Sequence, residues 1–256
     1  MDSNNGFAWH RGGALAMLAA ACLAVTRPAA AVEEGIYIAL DYNSNKFDRA
    51  AADYDAQLEP FLECGFASDA YCTTPADVSF TQTSLNNRSK AYDLWVGYQF
   101  SPWFAVEGAY LDMGRTHHSF DGTVDVGPVD VDGDGIADYS GPQPLSGRTT
   151  FHTRGPAFAV VGTMGLGEYF SAEARAGFFF ADNKLSMNIQ YSPPPGAQPY
   201  SYGESDSKTA LFYGASATFW ITPYVGLRGG FATYRKADFD HDVRQVFVGF
   251  RYSYGY

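Results

Sequence analysis

The chain has 256 residues, of which 46% are hydrophobic, 16% aromatic and only 18% charged, where soluble domains carry about 25% charged residues. Its 17 Lys and Arg stand against 28 Asp and Glu, a formal net charge of −11; this excludes a nucleic-acid partner, because phosphate binding needs clustered basic side chains. Beyond the N-terminal segment, no run reaches the roughly 20 apolar residues of a helical membrane span.

Met1–His10 is polar, Arg11 adds a positive charge, and residues 12–25 form an apolar run rich in Ala and Leu. Arg27-Pro28 breaks that run, and Ala29-Ala30-Ala31 supplies the small residues of a signal-peptidase site. Residues 1–31 read as a signal peptide and residues 32–256 as one transmembrane β-barrel domain. The alternative is a lipoprotein signal with Cys22 lipidated, but Ala19-Ala20-Ala21 before it lacks the customary Leu. Without Asp2, Arg11 and Arg27 the chain keeps 15 basic and 27 acidic residues, a net charge of −12. So acidic an exported chain suits divalent cations. Cys64 and Cys72 are close in sequence and exported together, which predicts a loop disulfide.

From Gly35 onward the apolar period is two, the period of strands. Ile36, Ile38, Leu40 and Tyr42 alternate with polar positions, then a long segment follows over 44–88. A second strand carries Tyr92, Leu94, Val96, Tyr98 and Phe100; Ser101-Pro102 turns it into a third with Phe104, Val106, Gly108 and Tyr110. After a long segment over 115–148, the fourth runs over 149–165 and a turn at Leu166-Gly167 opens the fifth, with Phe170, Ala172, Ala174, Ala176, Phe178 and Phe180 on one face. Residues 192–207 form a third long segment. The sixth strand, Leu211 to Ile221, turns at Thr222-Pro223 into a seventh with Val225, Leu227 and Phe231; a short 238–242 segment leads to the last, with Val246, Val248, Phe250, Tyr252, Tyr254 and Tyr256.

Eight strands with short turns on one side and long loops on the other define the expected fold: all-β, an eight-stranded antiparallel up-and-down transmembrane β-barrel with long extracellular loops and short periplasmic turns, in the outer membrane of a Gram-negative cell. A soluble barrel around a ligand would point its apolar face inward. Here the bulky face suits lipid outside, and the other, of Gly, Ala, Ser and charges, suits a narrow lumen. A soluble β-sandwich is the alternative for these strands.

Tyr98-Gln99-Phe100-Ser101-Pro102-Trp103-Phe104-Ala105-Val106-Glu107-Gly108-Ala109-Tyr110 resembles the strand–turn–strand signature of OmpA-like eight-stranded barrels, and 219–231 resembles a later hairpin of that family. The C-terminus, with Gly249, Tyr252, Tyr254 and Tyr256, resembles the aromatic-ended signal read by the barrel assembly machinery, although Phe247 stands where a polar residue is common. The resemblance implies outer-membrane lipid, lipopolysaccharide and that machinery as partners. OmpA-type proteins often add a soluble peptidoglycan-binding domain; the sequence ends at its last strand, so peptidoglycan anchoring is not implied.

Strand parity places Asp41, Asp93, Glu107, Glu173, Arg175, Arg228 and Arg251 on the lumen face. In a narrow lumen such charges are expected to pair, since an unpaired buried charge costs several kcal/mol. They form either a salt-bridge plug or a gated ion path. In the second long segment, Asp130, Asp132, Asp134 and Asp138 alternate with Gly133 and Gly135. This resembles the calcium loop of thrombospondin type 3 repeats, with Ile136 lending its carbonyl. A solvated acidic loop is the alternative. His117-His118-Ser119 resembles the His-x-Ser pairing of a lipid A deacylase, but no acidic partner is identifiable on a neighbouring strand. No catalytic residue is therefore assigned, and the expected protein is not an enzyme. The remaining readings are an envelope or surface-interaction protein and a small passive pore; the sequence names no extracellular ligand.

Overall fold

The computed structural model describes residues 34–65, 76–125, 127–128, 141–191 and 200–255. The expected signal peptide, Cys72, the 130–138 loop and Tyr256 lie outside the described residues. Among the described residues, nine strands and one helix follow in order: β1 (Gly35–Phe47), α1 (Ala51–Gly65), β2 (Asp77–Asn86), β3 (Arg88–Ser101), β4 (Phe104–Asp125), β5 (Gln143–Gly165), β6 (Phe170–Tyr191), β7 (Tyr200–Trp220), β8 (Val225–Asp238) and β9 (His241–Gly255).

Each strand pairs antiparallel with its neighbours in the order β4-β3-β1-β9-β8-β7-β6-β5, and β5 returns to β4, closing a ring of eight. The ninth strand does not widen that ring. β2 lies along the outer half of β4, Asn86 opposite His117, while β3 takes the inner half, Asp93 opposite Leu111. Only Asn87 separates them, so β2 and β3 are one barrel strand broken at a single residue. The break faces a bulge where β4 shifts register against β5 between Asp112 and Arg115. Gly114 takes φ +74° there, a left-handed value that favours glycine.

The termini and the turns at 101–104, 165–170 and 220–225 share one end, the periplasmic end by the turn-and-loop rule. At the other end the strands reach well past the apolar band. This corrects the expected loop bounds of 44–88, 115–148 and 192–207. Above the lipid the outer face meets water, so the outward apolar residues stop, although the backbone ladder continues. The 44–88 segment also holds a helix. Ala51, Ala52 and Ala56 favour it, and Tyr54, Leu58, Phe61 and Leu62 recur on one face at helical spacing. Leu58 and Leu62 are buried with Val78, Phe120, Val124, Leu145, Met187 and Ile189, so α1 leans on the inner faces of the extended strands.

Outward residues of the barrel are about half exposed, among them Ile38, Leu40, Val96, Phe158, Phe178, Val248 and Phe250. That band is the lipid-facing surface. Tyr42 and Tyr92 sit ring to ring at its upper edge, 5.2 Å between centroids, and Phe170 and Phe219 at 5.0 Å near the lower one.

Candidate functional site

The inward face is where the structure concentrates chemistry. Asp41 (β1), Glu107 (β4), Glu173 and Arg175 (β6), Arg228 (β8) and Arg251 (β9) are all buried. They join in one alternating series. Arg228 Nη2 lies 3.2 Å from Asp41 and its Nη1 4.0 Å from Glu107; Arg175 stands 3.3 Å from Glu107 and 3.2 Å from Glu173; Arg251 pairs with the other oxygen of Glu173. Three carboxylates and three guanidinium groups thus cross the lumen as Asp41–Arg228–Glu107–Arg175–Glu173–Arg251. In so buried a site, a paired series of zero net charge avoids the cost of a lone buried ion.

Neutral groups complete it. Tyr37 donates its hydroxyl to Glu107 at 2.9 Å, Ser216 donates to Glu173 at 3.1 Å, and Arg251 donates to Gln99 at 3.1 Å. Aromatic faces cover the cations: Arg251 lies 3.6 Å from the Tyr37 ring centre, Arg175 4.8 Å from Trp95, and Arg228 5.3 Å from Phe247. Here the lumen departs from the expected filling of small residues and charges. Trp95, Phe179, Phe212, Tyr234 and Phe247 also point inward, and Trp220 closes the periplasmic end with its indole N–H on Ser171, 3.1 Å.

Glycines on the inward face give these side chains their room. Gly249 of β9 pairs with Asp41 on one side and Arg228 on the other, and a Cβ there would collide with the Leu40 carbonyl and the Asp41 side chain. Asp41 reaches Arg228 across that gap. Gly97 plays the same part between Tyr37 and Glu107, with the Tyr37 ring lying where its Cβ would be. Gly249, expected as part of an assembly signal, thus has a place in the lumen, while Tyr252 and Tyr254 are exposed on the lipid side.

Asp93, grouped with the cluster by parity, stands apart from the series. It accepts from Gln245 at 2.8 Å and from the Asp112 amide at 3.2 Å.

A second closure lies at the outer mouth, without a signal in the strand pattern. Arg49, from the link between β1 and α1, is buried against Asp238 at the end of β8. Its guanidinium is enclosed by Phe151 at 4.4 Å, Tyr54 at 5.1 Å, Phe239 at 5.6 Å and Phe47 at 5.9 Å. Thr153 places its hydroxyl 2.9 Å from Asp238. Burial pulls Arg49 down to about 10 and raises Asp238 above the usual carboxylate value, against the mutual attraction of the pair.

The His segment divides by strand parity. His118 points inward and is buried, its Nε2 3.0 Å from Asp55 of α1. The acid missing from the neighbouring strands therefore comes from the helix, and to the opposite face from Ser119. His117 shares Ser119's outer face, but its Nδ1 lies 3.1 Å from the Thr150 hydroxyl. Cys64 stands in the last turn of α1, while its expected partner Cys72 and the calcium-like residues Asp130, Asp132, Asp134, Ile136 and Asp138 are outside the described residues.

A closed eight-stranded antiparallel barrel with an apolar outer band and a charged interior is a membrane-spanning β-barrel. The family model for the outer membrane protein beta-barrel domain matches residues 14–253. The chain belongs to that family and resides in the outer membrane. Among solved structures it is similar to Ail, the attachment invasion locus protein of Yersinia pestis, at 17% identity over 87% of this chain and 100% of the other, TM-score 0.41. OprG of Pseudomonas aeruginosa is similar at 12% identity over 88% and 98%, TM-score 0.44, and Neisserial surface protein A at 11% over 86% and 97%, TM-score 0.40. No curated protein sequence matches.

Proposed function

We propose that this chain is a non-enzymatic outer-membrane barrel with a closed lumen, which anchors extracellular segments for envelope integrity or surface interaction. The observation that carries the reading is the Asp41–Arg228–Glu107–Arg175–Glu173–Arg251 series, each member tied to an oppositely charged neighbour in a lumen eight strands wide. The competing reading, a small passive pore lined by the same charges, would need those pairs to part. Proteoliposomes carrying the refolded barrel should swell no faster than empty liposomes in isosmotic arabinose; swelling that rises with protein content favours the pore. His117 facing Thr150 rather than an acid supports the non-enzymatic reading.

Within the family we place the chain among the OmpA-like barrels on its 98–110 hairpin and aromatic C-terminus, with the barrel assembly machinery as partner. Lipopolysaccharide is the further proposed partner. In its support, Lys46 is paired across the sheet with Arg88 on one side and on the other with Arg244, which Asp48 meets at 3.4 Å, a row of three cations and one carboxylate above the apolar band. Like charges directly opposite one another repel, and lipid-borne phosphates would relieve them. The 130–138 loop is proposed to bind calcium through Asp130, Asp132, Asp134, Asp138 and the Ile136 carbonyl; calorimetric titration should give heat in wild type and none in Asp132→Ala. A Cys64–Cys72 disulfide is proposed to tie the end of α1 to the following segment, supported by the bonded state of Cys64. Removal of residues 1–31 is proposed on export, so mass spectrometry of the envelope protein should begin at Val32.

A further inference from the structure

The outer mouth is roofed on one side by α1, and between this helix and the extended strands lies a half-enclosed cavity of about 270 Å³. Its wall is built of rings and aliphatic chains: Tyr54 and Leu58 from α1, Phe151 from β5, Leu185 and Met187 from β6, and Phe239 from the β8–β9 turn. The rings are set at angles to one another, Tyr54 to Phe151 at 4.7 Å and 38°, Phe151 to Phe239 at 5.9 Å and 74°. Offset and edge-on faces are what a further aromatic ring packs against. An apolar cavity of about 150 Å³ already takes benzene, so this one has room for a substituted ring.

We propose that this vestibule binds a small neutral aromatic compound bearing a hydroxyl group. Neutrality follows from what surrounds the cavity. Arg49 already sits against the Tyr54, Phe151 and Phe239 rings, so their capacity for a cation is taken. An anion would face Glu204 and Asp55 beside His118, while the charge of Arg49 is already met by Asp238. The hydroxyl follows from two polar groups on the wall. The buried Tyr54 hydroxyl has no hydrogen-bond partner among the described residues, and a buried polar group without a partner costs free energy that a ligand oxygen would recover. His118 also lines the cavity, its Nε2 3.0 Å from Asp55, and burial lowers its basicity despite that carboxylate. The paired lumen beneath makes the vestibule a receiving site rather than the entrance of a channel. The binding claim stands whether or not the lumen conducts.

The test uses the full barrel in lipid nanodiscs and 4-fluorophenol as probe, followed by fluorine NMR at pH 7. The expected result is saturable broadening at one site per barrel, absent with empty nanodiscs, with 4-fluorobenzoate and 4-fluorobenzylamine unaffected. Leu185→Trp, which fills the cavity, should abolish the saturable component. Tyr54→Phe, on the helix and outside the barrel wall, should weaken 4-fluorophenol about two- to tenfold while leaving fluorobenzene unchanged. Folding of each variant is read from its gel mobility before and after heating. Overturning results are no saturable broadening in wild type, equal binding of the charged analogues, or unchanged binding in a folded Leu185→Trp.

Discussion

At the scale of single residues, the lumen is held by charges that cannot be removed one at a time. Arg228 is buried between Asp41 and Glu107, so Arg228→Ala leaves two carboxylates short of a partner. Breaking a buried pair in this way costs about 3–5 kcal/mol, measured as a lowered urea midpoint of the folded barrel in lipid. Gly249→Ala tests the same pair without touching a charge. The new Cβ would displace the Asp41 carboxylate and press on the Leu40 backbone, a loss of about 1–3 kcal/mol of the kind overpacking causes. Equal stability of Gly249→Ala and wild type would show that Asp41 reaches Arg228 without that gap. Strand parity alone located Asp41, Glu107, Glu173, Arg175, Arg228 and Arg251, because a period of two assigns a face to every residue once the lipid side is known. It also located Asp93, but parity says nothing of the rotamer, and Gln245 took that carboxylate. Arg49 had no such signal, since it stands between two elements and its partner Asp238 is almost two hundred residues away.

At the scale of elements, the strand that resisted reading is the one broken between β2 and β3. Residues 77–86 carry Ser, Thr, Gln and Asn outside the lipid, where water faces one side and no apolar stripe is required. The pairing of β2 with β4 is legible only once β4 is known to extend to Asp125. Helix α1 was hidden for a related reason, as its apolar stripe is a short one among polar residues. It contacts the barrel through His118 as well as its apolar stripe, His118 pairing with Asp55 and being held by burial below its ordinary value of 6.5. With the folded pKa depressed, the unfolded state binds the proton first, so stability from this group is present at neutral pH and is lost as pH falls below about 6.5. Hydrogen exchange in α1, corrected for the intrinsic rate, should therefore accelerate between pH 7.5 and pH 5 in wild type, as a charged imidazole arises beside Tyr54, Phe120 and Asp55. His118→Phe should flatten that dependence. Retention of the full pH dependence in His118→Phe would assign it to another group.

At the scale of the whole molecule, the eight-strand count and the inside–outside alternation were readable from the chain, because lipid on one face and a crowded lumen on the other impose opposite chemistries on alternate residues. What fills the lumen was less readable. The outer face is selected only for being apolar, while the inner face is selected for mutual fit, with Tyr37 over Gly97 and Trp95 beside Arg175. The central claim is that this fit closes the barrel. Recording single-channel currents from the purified, refolded protein in a planar bilayer tests it most directly. The paired series predicts a silent membrane for wild type, with current appearing only in a folded variant that removes both carboxylates paired with Arg175, Glu107→Ala with Glu173→Ala. Steady, large conductance in wild type, unchanged by those substitutions, would contradict it.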